Sequence, residues 1–62
     1  MRSICELTQR EMDVVASYMN DDIREDVHCE LAPCTPAEFI ARYLEFDPEF
    51  EAILKSEFSL EV

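Results

Sequence analysis

The sequence predicts an all-α domain, a small bundle of three or four short helices. Helix-start motifs recur along the chain, and the apolar residues after each one repeat at intervals of three and four. Glycine is absent from all 62 residues, which argues against β-hairpins, because tight hairpin turns need residues that accept positive φ angles. We expect a single domain over residues 1–62, with a core small enough to favour support from a partner or a second copy.

The first predicted helix begins at Gln9. Thr8 and Glu11 have the spacing of a capping box, in which each residue's side chain accepts a hydrogen bond from the other's backbone N–H. Side chains three and four residues apart share a helix face. The buried stripe of this helix is therefore predicted to be Met12, Val15, Ala16 and Met19.

The second predicted helix follows a break at Asn20, the residue best suited here to a left-handed helix-ending conformation. Asp21 and Asp22 suit the positive start of the next helix, which runs to about Leu31. A single helix over residues 9–31 remains an alternative, because the apolar stripe continues without interruption. It would run through Met12, Met19, Ile23, Val27 and Leu31.

Two further helices are predicted after Pro33, which disfavours helical geometry in the residue before it. Thr35 and Glu38 form a second capping box, with Pro36 at the first helical position. Asp47-Pro48 repeats the cap-and-proline signature and is predicted to open the fourth helix. Strand pairing is expected, if anywhere, between the two termini, through RSIC and FSLEV.

Charge limits the functions open to this chain. Five basic residues are set against fifteen acidic ones, a net charge of −10 at pH 7. Nucleic-acid-binding proteins neutralise phosphates with Lys and Arg, so direct nucleic-acid binding is disfavoured, as is binding to anionic membranes. Basic protein surfaces are the expected partners. With no targeting segment and an odd number of cysteines, we expect a cytoplasmic protein with reduced thiols.

The stretch HCELAPCTP raises the question of a metal site or a reactive thiol. Structural zinc sites normally use closely spaced cysteine pairs, whereas Cys29 and Cys34 are separated by four residues. On the second helix Cys29 is predicted to be exposed among carboxylates, which disfavours a thiolate. Cys34, just before a helix start, is the better thiol candidate. Without glycine there is no phosphate-binding loop, and we assign no catalytic residue, metal or cofactor.

Carboxylates form the candidate partner-binding surface. Four lie on one face of the second helix, about one turn apart, and four more lie at the corner between the third and fourth helices. Such rows either imitate the charge spacing of a nucleic-acid backbone or are simply solvated. The residues are Asp21, Asp22, Glu25, Asp26, Glu45, Asp47, Glu49 and Glu51.

Apolar side chains form a second candidate interface. The third helix has an apolar sector too wide for one small neighbour to cover, formed by Phe39, Ile40, Tyr43, Leu44 and Phe46, and the first helix carries two apolar residues off its main stripe. A homodimer would bury these side chains. The alternative function is therefore an adaptor or oligomerisation module that binds through its apolar helix faces. The interface candidates are Val14, Tyr18, Phe39, Tyr43 and Phe46.

Residues 30–58 resemble small acidic proteins of Gram-positive mobile elements, through the Pro-Cys-Thr-Pro and Asp-Pro-Glu-Phe turns. In size and acidity the chain is also similar to anti-CRISPR and other anti-defence inhibitors. That resemblance implies a non-enzymatic protein that occupies a basic surface of a nucleic-acid-handling effector, and it carries over no specific residue.

Overall fold

Helices dominate the protein, as predicted. The computed structural model describes residues 2–31 and 34–62. Within these ranges no helix is both long and apolar enough to span a membrane. Along the chain the elements are β1 (Arg2–Ser3), a 3₁₀ turn (Ile4–Glu6), α1 (Gln9–Ala16), α2 (Asp21–Leu31), α3 (Pro36–Phe46), α4 (Phe50–Phe58) and β2 (Leu60–Glu61).

Both predicted capping boxes are present and fix the starts of α1 and α3. The Thr8 hydroxyl oxygen accepts a hydrogen bond from the Glu11 N–H, and the Glu11 carboxylate accepts one from the Thr8 N–H, each at 3.2 Å. Thr35 and Glu38 make the same pair of bonds at 3.2 and 3.1 Å. Pro36 occupies the first turn of α3, where its missing N–H leaves no bond unmade.

α1 and α2 are separate helices, so the alternative of one helix over residues 9–31 is wrong. The predicted left-handed conformation of Asn20 is also wrong, since Ser59 is the non-glycine residue with a positive φ in the described ranges. The chain reverses instead through a tight turn whose N–H groups bond three residues back, from Ser17 to Met19. Asn20 then caps α2: its Oδ1 accepts bonds from the N–H groups of Asp22 and Ile23 at 2.9 and 3.1 Å.

The corner between α3 and α4 departs from the prediction. α4 begins at Phe50, two residues after the Asp47-Pro48 pair that was expected to open it. The Asp47 carboxylate accepts a hydrogen bond from the Tyr43 hydroxyl at 3.1 Å, so it does not cap α4. Asp47 closes α3, its N–H donating to the Tyr43 carbonyl. The role predicted for Pro33 lies outside the described residues, although α2 does extend to Leu31.

The terminal segments pair, as the sequence suggested. β1 and β2 run parallel, with Arg2 opposite Leu60 and Ser3 opposite Glu61. The N–H of Arg2 also donates to the Ser59 carbonyl at 3.2 Å. Parallel strands need no tight turn between them, so the absence of glycine is no obstacle to this sheet.

α3 is the central element of the core. It packs against α2 and the 3₁₀ turn, and Tyr43 meets Phe50 of α4 edge to face, with ring centroids 4.9 Å apart. The wide apolar sector of α3 is therefore mostly internal: Ile40 and Tyr43 are fully buried, and Phe39 is half-buried against the core. The prediction that Tyr43 belongs to an exposed interface is wrong, because these neighbours cover it.

Candidate functional site

The acidic face of α2 consists of Asp21, Asp22, Glu25 and Asp26. All four side chains are exposed. Arg24 pairs with Asp21 at 3.1 Å between Nη2 and Oδ1. Over residues 2–31 and 34–62, the other three carboxylates form no ion pair. The capped start of α2 thus presents carboxylates that are available to a partner.

The second predicted acidic cluster, at the corner between α3 and α4, is mostly occupied. Glu45 pairs with Arg42, and the Asp47 carboxylate is engaged by the Tyr43 hydroxyl. Glu51 lies 4.0 Å from the Lys55 ammonium. The fourth member, the exposed side chain of Glu49, is left without an intramolecular ion pair among the described residues. This corner therefore carries less uncompensated charge than the face of α2.

Arg42 joins α2 to α3 and compensates acidic charge there. Its guanidinium pairs with Glu30 of α2 at 2.7 Å and with Glu45 of its own helix. Hydrogen bonds to Glu45 and Glu30 raise the pKa of Arg42 above its usual value. The guanidinium also lies 5.0 Å from the centre of the half-exposed Phe46 ring. Phe46 is therefore partly covered by a cation rather than forming an open apolar surface.

Val14 and Tyr18 are exposed, with 52% and 49% of their surfaces accessible. The Tyr18 ring contacts the half-buried Phe58 ring edge to face, with centroids 5.1 Å apart. We call Val14, Tyr18 and Phe58 the apolar patch. Val14 and Tyr18 are, with Phe46, the members of the predicted apolar interface that the fold leaves exposed.

A groove of about 600 Å³ lies where α1, α2 and the start of α3 meet. Each of the first two helices contributes residues spaced three and four apart, the spacing of a single helix face. From α1 these are Gln9, Met12, Asp13 and Ala16. From α2 they are Asp21, Arg24, Glu25 and His28. The segment around the start of α3 adds Cys34, Thr35, Pro36 and Phe39.

The groove combines apolar and acidic side chains. Met12, Ala16 and Phe39 contribute apolar surface, while Asp13 and Glu25 contribute exposed carboxylates from different helices. Two members of the predicted acidic face, Asp21 and Glu25, belong to it. Sequence reasoning missed the groove, although the matching spacing of its residues on α1 and α2 is a signal of two helix faces that could line one surface.

The cysteines show no sign of shared chemistry. All three are free: Cys5 and Cys29 are exposed, the latter as predicted, and Cys34 is half-buried at the groove. In the part of the chain that the structure describes, no three His, Cys, Asp or Glu side chains are placed to hold a metal ion.

Comparison with known proteins assigns the family. No curated protein and no solved structure shows significant similarity to the chain. The family model described as "Anti-CRISPR protein AcrIC5" matches residues 8–46, which is more than half of the chain and contains α1, α2 and α3 complete, with both the acidic face and the groove. The resemblance to anti-CRISPR inhibitors is thus confirmed, and the chain belongs to the AcrIC5 family of anti-CRISPR proteins.

Proposed function

We propose that the protein inhibits the CRISPR machinery by binding, through the acidic face of α2, a basic surface that otherwise holds nucleic acid. The observation that carries this proposal is the set of exposed carboxylates on that face, of which only Asp21 has an ion-pair partner within the described ranges. Membership of an anti-CRISPR family supplies the class of partner. The inhibitor and its target would then meet in the cytoplasm.

The density of charge on α2 is of the same order as that of DNA. Asp21 and Asp26 are five residues apart, about 7.5 Å along a helix axis. Four carboxylates over this length are separated by an average of about 2.5 Å along the axis, compared with about 1.7 Å of axis per charge in duplex DNA. Arg24 reduces the net charge of the face by one. A groove lined with Lys and Arg would therefore meet a charge pattern similar to the one it normally binds.

Binding to an isolated CRISPR effector complex across a salt series tests this proposal. We expect affinity to fall steeply as salt rises, because exposed charges are screened over about 10 Å at 0.1 M, and target DNA should compete. The variant Asp22→Asn/Glu25→Gln/Asp26→Asn should bind about tenfold more weakly or worse. A matched control, Glu6→Gln/Glu57→Gln/Glu61→Gln, removes the same charge from exposed positions elsewhere and should bind more nearly like the wild type.

Two results would contradict the proposal: affinity that does not change with salt, or equal losses in the two triple variants. Titration of effector activity adds a separate check. Because the proposed inhibitor acts by occupancy and not by catalysis, inhibition should need about one inhibitor for each binding site. Complete inhibition at far lower ratios would indicate an enzyme.

The apolar patch supports a second candidate function, which is association through apolar contacts. Val14 and Tyr18 expose about half of their surfaces, and exposed apolar side chains that cluster often mark an interface. We propose that two copies of the chain meet there as a symmetric dimer, which would enlarge the small core of each. The same patch would serve an adaptor if a different protein occupied it.

A further inference from the structure

The groove between α1 and α2 suits a ligand that is apolar along its length and positively charged at its end. Met12 and Phe39 line it with apolar side chains, and Asp13 of α1 and Glu25 of α2 line it with acidic ones. A purely apolar occupant would displace water from the carboxylates without giving them hydrogen bonds in return, which is unfavourable. An anionic occupant would be repelled.

The positive charge already in the groove does not neutralise these two carboxylates. Arg24 is engaged on its own side: Nη1 donates to the Ala16 carbonyl at 3.3 Å, and Nη2 pairs with Asp21 at 3.1 Å. From the described residues, the Asp13 side chain accepts only a long hydrogen bond of 3.4 Å, from the Gln9 amide. Within the described ranges neither Asp13 nor Glu25 forms an ion pair. Both remain available to a cation from outside.

We propose that the groove receives an arginine side chain of the CRISPR protein to which the acidic face of α2 binds. This inference rests on the function proposed above. An arginine lays its aliphatic stem along apolar surface while its charged head stays near water. Its planar guanidinium presents several N–H donors, which suits carboxylates contributed by two helices, and guanidinium groups stack on aromatic rings such as that of Phe39. Glu25 belongs to both surfaces, so the groove and the acidic face would engage one continuous partner surface.

A small-molecule probe tests the groove without the effector. n-Butylguanidinium has an arginine-like stem and head, n-butylurea is its neutral analogue, and guanidinium has the head alone. Following the Met12 methyl and Phe39 ring resonances by NMR, we expect saturable shifts with butylguanidinium at millimolar concentrations, as its small size dictates. Butylurea and guanidinium should each bind several-fold more weakly.

Charge-neutral variants test the role of the carboxylates. Asp13→Asn/Glu25→Gln should weaken butylguanidinium binding about fivefold. The control Asp22→Asn/Asp26→Asn removes two charges from α2 at positions that do not line the groove. It should change the affinity for butylguanidinium by less than about twofold. Circular dichroism confirms that both variants remain folded. Equal binding of butylurea and butylguanidinium, absence of saturation, or equal effects of the two double variants would overturn the inference.

Effector binding supplies the second arm. Asp13 lies on α1, outside the acidic face of α2, so Asp13→Asn should weaken binding about two- to fivefold, whereas Glu57→Gln, the same charge change on α4, should have almost no effect. Equal effects would overturn the inference even if salt dependence and the α2 triple variant behave as proposed. The proposed function itself fails by a different readout, namely effector affinity that is insensitive to salt and to the α2 charges.

Discussion

The phenolic oxygen of Tyr43, in the last turn of α3, accepts a hydrogen bond at 2.8 Å from the backbone N–H of Asn20, which lies between α1 and α2. The same hydroxyl donates to the Asp47 carboxylate at 3.1 Å. One buried side chain therefore fixes the corner from which the acidic face begins and also the end of α3. Burial raises the pKa of Tyr43 above its usual value, so the hydroxyl keeps its proton and its donor role.

Replacing Tyr43 with Phe should lower the free energy of unfolding by about 1–2 kcal/mol, because a partly buried N–H loses its acceptor. Urea denaturation measures this loss, and faster hydrogen exchange at the Asn20 amide would locate it. The matched control is Tyr18→Phe, which removes a hydroxyl from an exposed ring and should change stability by less than about 0.5 kcal/mol. Similar effects of the two substitutions would show that the Asn20 bond contributes little.

Ser59→Gly should stabilise the protein. Ser59 ends α4 in the left-handed conformation, with φ of 53° and ψ of 40°, which costs a non-glycine residue about 1–2 kcal/mol. The greater freedom of glycine in the unfolded chain offsets part of this gain, so we expect a net increase of about 0.5–1 kcal/mol. Ser56→Gly, within the same helix, should instead destabilise the protein by about 0.5 kcal/mol. Thermal or urea unfolding that gave both changes the same sign would contradict this account.

The second capping box should make stability depend on pH. Hydrogen bonds from the Thr35 backbone and hydroxyl hold the pKa of Glu38 below its usual value of 4.5. The folded state therefore favours the ionised carboxylate. Its contribution is present above about pH 4.5 and is lost as pH falls through the lowered folded-state pKa.

Comparison with Glu38→Gln isolates this contribution, because protonation elsewhere relieves repulsion in a chain of net charge −10. Glutamine retains a capping acceptor but does not titrate. The stability advantage of the wild type over Glu38→Gln should shrink as pH falls below 4.5. Glu57→Gln serves as the control, because it removes the same charge at an exposed position of α4. A constant difference from Glu38→Gln at all pH values would refute the prediction.

Self-association through the apolar patch should strengthen with added salt. Each copy carries a net charge of −10, and salt screens the repulsion between copies while leaving apolar contacts nearly unchanged. Light scattering over a series of protein and salt concentrations measures the trend, which is opposite to the one expected for effector binding. Val14→Ser/Tyr18→Ser should remain monomeric, whereas Ala41→Ser, an exposed change on α3, should not alter association. A wild-type monomer under all conditions would exclude this dimer.

Local hydrogen-bonding patterns made most of the fold predictable. Thr8 with Glu11 and Thr35 with Glu38 specify two helix starts through residues only three apart, and both were confirmed. Asn20 was placed in a turn, but the hydrogen bond from its N–H to the Tyr43 hydroxyl, 23 residues away, forms only when α3 packs against the corner between α1 and α2. Sequence spacing does not contain that contact.

The candidate site was less predictable for the same reason. Helical spacing placed Asp21, Asp22, Glu25 and Asp26 on one exposed face, but gave no basis for ranking that face above the second cluster. The ranking came from the ion pairs that the side chains make in the structure, Glu45 with Arg42 and Glu51 with Lys55. The groove also requires the relative placement of α1, α2 and α3, which no single-helix pattern specifies.

The parallel pairing of β1 with β2 has a consequence for the timing of folding during synthesis. Every helix is encoded between the two strands, so α1 to α4 have all been translated before Leu60 can reach Arg2. Leu60 is fully buried, and its place in the core stays empty until that residue leaves the ribosome. Closing so long a loop is entropically unfavourable until the helices have collapsed. A nascent chain arrested with residues 59–62 still in the exit tunnel should therefore be helical but sensitive to protease, and should become resistant once these residues emerge.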